Sequence, residues 1–182
     1  MVEVELRAAG VDDEPFLWRM LLEAAHAGDE VDGPDALKSM PELARYVDGW
    51  GRPGDIGVIA TRQGEPVGAA WLRLLVGDEA AYGYVDERTP ELAIAVDPAL
   101  TGQGIGGVLL ARLLLDAGGR FAAVSLSVRR DNDARRLYER FGFRPVDGTE
   151  VDNRAGGTSI TMVRRLGPGG GGTMTSAPEV WP

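Results

Sequence analysis

"VDPALTGQGIGG", Val96 to Gly107, places four glycines in its last six positions, between the apolar run "ELAIAV" (Glu91 to Val96) and a second apolar run, Ile105 to Ala117. The first run has the length of a strand and is bounded by Pro90 and Pro98, which interrupt regular pairing. The second has helical periodicity and is closed by Gly118-Gly119. A strand therefore passes into a helix through a turn stripped of side chains. N–H groups exposed at a helix N-terminus, with the helix dipole behind them, hold anionic oxygens, and glycine permits both close approach and positive φ. The expectation is a pyrophosphate cradle.

Working outward, Val2 to Arg7 alternates apolar and charged residues as a half-buried strand does. "EPFLWRMLLEAAHAG" spaces Phe16, Leu17, Met20, Leu21 and Ala24 as a helix that stops at Gly28. A second helix is expected from Asp35 to about Asp48, with Leu37, Met40, Leu43 and Tyr46 on one side. "IGVIATRQGEPVGAAWLRLL" reads as a hairpin turning at Gln63-Gly64-Glu65. Beyond the glycine turn, a fifth strand spans Phe121 to Val128, and a short helix spans Asp133 to Arg140. Two closing strands, Phe143 to Val151 and Thr158 to Leu166, flank "DNRAGG". Residues 3–166 form one domain, and 167–182, "GPGGGGTMTSAPEVWP", has the composition of a flexible tail.

Composition excludes several chemistries. The 182 residues are 44% hydrophobic and 26% charged, the balance of an ordinary globular domain. With no cysteine, the chain has no disulfide, no thiolate nucleophile and no cysteine-based zinc site, and the single His26 builds no histidine metal cluster. No metal is expected. Glu3 and Glu5 stand where a secretory signal has basic residues, and the most apolar window, "VLLARLLLDA", is too short for a membrane span. A cytoplasmic protein without membrane contact is expected. The first 100 residues carry 20 Asp+Glu against 8 Lys+Arg, the remainder 8 against 11, and the whole is −9. An acidic whole argues against nucleic acid.

The identity of the phosphate ligand depends on context. A P-loop needs Lys-Ser or Lys-Thr after its last glycine, and Gly107-Val108 supplies neither. A Rossmann turn opens the first βαβ unit, whereas this one follows the fourth strand. "VDPALTGQGIGGVLL" instead resembles the acyl-coenzyme-A motif of the GNAT superfamily of N-acetyltransferases. "NDARRLYERFGFRPV" resembles that family's closing helix, and the order of elements fits from about residue 3 to 166. Two departures stand out. Thr101 occupies the usual place of Arg or Gln. Asn132 lies six residues before Tyr138 instead of seven, which leaves it either a coenzyme contact on a shortened loop or a helix N-cap.

The resemblance implies a mixed α/β (α+β) domain with a central, mostly antiparallel sheet flanked by helices. It implies an N-acetyltransferase that moves an acetyl group from acetyl-CoA to a primary amine of a small molecule or peptide, by direct attack on the thioester. Ile94, Ala95 and Val96 would then supply main-chain groups beside a splay in the sheet, and Gly102, Gln103, Gly104, Ile105, Gly106 and Gly107 would hold the pyrophosphate. Tyr138 aligns with the family's acid for the departing thiolate; spacing alone makes it a half-buried aromatic. Glu91 stands where several members place a glutamate facing the amine, and reads equally as a solvated strand end. Ser127 falls where one subgroup has its base, so that base is absent. Family members frequently pair, and a homodimer is among the partners implied. A noncatalytic acyl-CoA-binding module on the same fold is the alternative.

The remaining conspicuous residues have plain explanations. His26 at a helix end suits the last carbonyls and the dipole. Trp18, Trp50 and Trp71 read as packing, and Trp181 lies in the tail. Arg129, Arg130, Arg135 and Arg136 read either as a charged face or as contacts to the ribose phosphate.

Overall fold

A computed structural model describes residues 3–26, 31–153 and 156–167. In chain order it contains strand β1 (Glu5–Ala8), helices α1 (Glu14–Ala24), α2 (Pro34–Leu37) and α3 (Pro41–Ala44), and strands β2 (Ile56–Arg62), β3 (Glu65–Arg73) and β4 (Glu91–Val96). Then come α4 (Ile105–Ala117), β5 (Ala123–Arg129), α5 (Ala134–Arg140), β6 (Arg144–Pro145), β7 (Val151–Asp152) and β8 (Thr158–Arg165). The strands form one sheet in the order β1-β2-β3-β4-β5-β8-β6, with β7 also on β8. Every pairing is antiparallel except β4 with β5. The mixed, mostly antiparallel sheet expected from the resemblance is therefore present.

Alternation along the central strands sorts their side chains into two cores. Val58, Ala70, Leu72 and Leu92 face α4, whose Ile105, Leu109, Leu110 and Leu113 form a helical stripe against them. Ile59, Ala69, Trp71, Ala93 and Ala95 face the other side, under Phe16, Leu17 and Leu21 of α1. Trp18, Trp50 and Trp71 are all buried there, as packing residues. Among the described residues no helix is long and apolar enough to cross a membrane.

The structure corrects four boundaries. The single helix expected over Asp35 to Asp48 is two short helices, because Pro41 has no N–H to donate and pushes Met40 to φ −108°, ψ 92°, outside the helical region. Tyr46 consequently lies in the turn that follows α3. The strand expected over Phe143 to Val151 pairs only as β6 and β7, with Gly148 at φ +77° in the turn between them. β1 begins at Glu5 instead of Val2, and β5 at Ala123 instead of Phe121. Gly28 and residues 168–182, the tail with Trp181, lie outside the described residues.

Candidate functional site

The glycine turn is built from its first residue. Asp97 Oδ1 accepts a hydrogen bond from Ala99 N–H (2.9 Å) and starts a short 3-10 turn over Pro98–Leu100. Gly102 (φ +79°) and Gly104 (φ +87°) then turn the chain into α4 through left-handed conformations that side chains resist. Gly107 and Val108 N–H bond back to Gly104 O, at 3.1 and 3.3 Å. The other opening N–H groups of a helix have no acceptor within it. A Cβ at Gly106 would meet only Leu137, at 3.6 Å, so this turn of helix is bare on the side where Leu137 lines a cavity.

The cavity, about 710 Å³, exists because β4 and β5 diverge. They pair at one register position only, Glu91 with Ser125, where Ser125 N–H donates to Pro90 O (3.0 Å). Asp97 N–H donates to Val67 O at the β3 edge (2.8 Å), so by alternation Ala95 turns its backbone groups to β3, while the N–H groups of Ile94 and Val96 point into the gap. The gap connects the α4 side of the sheet with the α1 side. Of the residues named from the sequence as catalytic or coenzyme-binding, all line this cavity except Gln103, and of the four arginines offered for the ribose phosphate Arg129 alone lines it.

Glu91 is not a solvated strand end. Its side chain is 3% exposed and points to the α1 side, where Tyr46 Oη and Gly83 N–H (2.9 Å) both donate to Oε1. Oε2 is buried with no partner. Burial raises the carboxyl pKa to about 7, against the opposing pull of the Tyr46 and Gly83 hydrogen bonds and the Arg45 charge. Such a group exchanges its proton near neutrality. Gly83 has no room for a side chain, since a Cβ would come within 2.8 Å of both Glu91 Oε1 and the Leu126 carbonyl carbon.

Tyr138 approaches from the other side, buried on α5 with its ring edge-on to Phe143, 5.9 Å between centroids. Burial alone pushes its phenol to about 12, so it carries its proton at neutral pH. Asn132 Oδ1 accepts from Ala134 N–H (2.8 Å), which stabilises the start of α5. Its amide nitrogen lies 3.2 Å from His26 Nε2, so the His26 ring meets the loop after β5 instead of its own helix's carbonyls. Ser127 lines the cavity, and Arg129, Arg130 and Arg135 form ion pairs with Asp131, Glu150 and Glu139. Sequence reasoning missed Tyr46 and Gly83. The available signal was a phenol on the apolar face of the segment after Asp35, since a buried hydroxyl needs an acceptor.

A model of the acetyltransferase (GNAT) domain matches residues 53–145, from the start of the central hairpin through α5. The chain belongs to the GNAT acetyltransferase family. The chain is 36% identical over 88 residues to a mycothiol acetyltransferase of Thermobispora bispora. That stretch is 47% of this chain and 30% of the relative, so the match spans about a third of the relative's length. Among solved structures, a GNAT-family acetyltransferase from Streptococcus pneumoniae aligns with a TM-score of 0.68 at 19% identity, over 91% of this chain and all of that one. A putative acetyltransferase from Salmonella typhimurium, solved with acetyl-CoA, aligns with a TM-score of 0.62 at 20% identity, over 98% and 99%. These likenesses show the GNAT fold over the described residues.

Proposed function

We propose that this GNAT protein transfers an acetyl group from acetyl-CoA to a primary amine, with Glu91 as the base and Tyr138 as the acid. The observation that carries the reading is the buried, half-satisfied carboxylate of Glu91, placed on the same cavity as the glycine turn. The cradle fits the cosubstrate's phosphates, because it offers free helix N–H groups and no side chain that would fill the space. Gly102 to Gly107 would hold the pyrophosphate, with the wall contributed by Gly102, Gly104 and the first turn of α4. Acetyl-CoA, when bound, supplies the thioester carbonyl that an amine attacks and the thiolate that leaves.

The chain's own residues then have separable tasks. Glu91, whose free Oε2 is buried, takes one proton from the substrate ammonium through a water relay and frees the nitrogen lone pair for attack. The Ile94 and Val96 N–H groups, left without strand partners by the splay, bind the oxygen as it gains negative charge. Tyr138 gives its proton to the sulfur as the carbon–sulfur bond breaks, and regains one from the acylated nitrogen. One proton per turnover leaves through Glu91. No covalent enzyme intermediate is needed, since nitrogen attacks the acetyl carbon directly.

Glu23, Glu91 and Asp152 outnumber Arg129 and Arg140 on the cavity wall, a balance that favours a cationic acceptor. Calorimetric titration with acetyl-CoA, with ATP and NAD as controls, followed by a thiol-release assay on an amine panel, tests the reading. Micromolar acetyl-CoA binding and turnover that falls about 10²- to 10⁴-fold in Glu91→Gln are expected. Binding without turnover on any amine would favour a noncatalytic module, and absence of binding would end the proposal.

A further inference from the structure

The Glu91 carboxylate is held asymmetrically, and the asymmetry is built by parts of the chain far apart in sequence. Tyr46 comes from the turn after α3, Gly83 from the loop between β3 and β4, and both donate to the same oxygen, Oε1. Three buried side-chain polar atoms lack partners among the described residues, and two of them are Glu91 Oε2 and Ser125 Oγ. These two residues are the register pair that joins β4 to β5, where the splay begins.

Tyr46 is itself fixed. Trp71 Nε1 donates to its carbonyl oxygen (3.0 Å), and Arg73 donates to the carbonyls on either side of it, Arg45 O (3.1 Å) and Asp48 O (2.7 Å). The phenol is pushed well above its usual range, by burial first and then by the Glu91 charge, so it remains the donor. The Gly83 loop is tied down from its far side, where Thr161 Oγ1 donates to Tyr82 O (3.3 Å).

We propose that Tyr46 is a positioning residue for proton transfer: together with the Gly83 N–H it pins Oε1 and sets the basicity of Glu91, so that Oε2 alone accepts the substrate's proton. This rests on Glu91 being the base. The other charged or titratable groups around the carboxyl are Arg45 beyond α3, Tyr82 in the Gly83 loop, Glu23 of α1, and Arg73, the register partner on β3, whose charge is matched by Asp55. Tyr46 is the side chain among these that hydrogen-bonds to the carboxylate.

The experiment is a direct titration of Glu91 in the full chain by ¹³Cδ-glutamate NMR, with the signal assigned by its loss in Glu91→Gln. Tyr46→Phe removes a hydrogen bond to the charged form, so the midpoint rises by roughly one to two pH units. Site-specific 3-fluorotyrosine at position 46 is a stronger donor of nearly the same shape, so the midpoint falls, and this variant decides the matter if Tyr46→Phe does not fold. A purely structural role for Tyr46 would not move the midpoint in opposite directions. A midpoint unchanged in both overturns the proposal.

The acid limb of kcat/KM, measured with acetyl-CoA and 1,4-diaminobutane or an alanine-initiated tripeptide, is expected to follow the NMR midpoint while acetyl-CoA affinity stays constant. In Tyr46→Phe the rate at pH 7 then drops about 5- to 50-fold and recovers at alkaline pH. A limb that persists in Glu91→Gln sinks the base assignment and the proposal with it. A limb that vanishes in Glu91→Gln but is unmoved by both changes at position 46 sinks only the role of Tyr46.

Discussion

A carboxylate buried to 3% exposure with one oxygen unpartnered costs the fold stability whenever it is charged. Glu91 has a folded pKa of about 7 against an unfolded value of 4.5, so between those values the native state binds more protons than the unfolded chain. Its contribution is therefore present at pH 4.5 and is lost as pH rises to 7, a change of about 3 kcal/mol. Glu91→Gln removes this loss. The variant is expected to melt several degrees above the parent at pH 8 and to match it or fall below it at pH 5, a comparison that calorimetry makes directly. A stabilising substitution that abolishes turnover is the pattern of a site kept strained for function. The sequence placed Glu91 at a strand start but left its burial open, because the Gly83 loop and the Tyr46 turn that cover it are brought onto it only by tertiary folding.

Elements were legible where their own residues decide them. β4 and α4 begin and end where the proline, glycine and apolar patterns put them, since each is bounded by a residue with a fixed backbone preference. The region after α1 was not, because Pro41 outweighs an apolar spacing that otherwise suits one helix. What holds that region is tertiary. Arg73 Nη2 and Nε bind Asp55 Oδ2 and Oδ1 at 2.7 and 3.1 Å, with the guanidinium 5.5 Å from the centre of the Trp50 ring. Both ions are almost fully buried, 1% and 4% exposed. Asp55→Ala leaves the guanidinium uncompensated and is expected to cost about 3 to 5 kcal/mol. That corresponds to a fall in Tm of roughly 6 to 20 °C for a chain of this size. The replacement also loosens the turn that carries Tyr46, so turnover is expected to decline below the melting range.

At the scale of the molecule, the resemblance read from two short motifs forecast a mixed, mostly antiparallel sheet flanked by helices, and the structure has it, with the strand order added by the fold itself. The acceptor side proposed for the cavity draws on side chains of α1, β4 and β7 together, and no single stretch of sequence encodes that grouping. On the proposed reading acetyl-CoA binds across the gap of the native state alone, so at about one hundred times its Kd it is expected to add roughly 2.7 kcal/mol, raising Tm by about 5 to 11 °C. ATP and NAD at equal concentration are expected to leave Tm unchanged. A thermal shift that does not distinguish the three would count against the cradle.

The single Glu91–Ser125 rung leaves the sheet divided into two plates, β1 to β4 and β5 to β8, held together mainly by the apolar core that α4, Val124, Leu126 and Phe143 share. Hydrogen-bonded ladders and apolar contacts respond differently to temperature, because apolar attraction weakens on cooling. The seam is thus a cold-sensitive joint within a sheet whose other pairings are ordinary ladders. Amides at Leu92 and Ser125 are expected to lose exchange protection at 5 °C relative to those of the β2–β3 hairpin, once intrinsic rates are divided out. If exchange follows that pattern, the site is expected to open more widely in the cold.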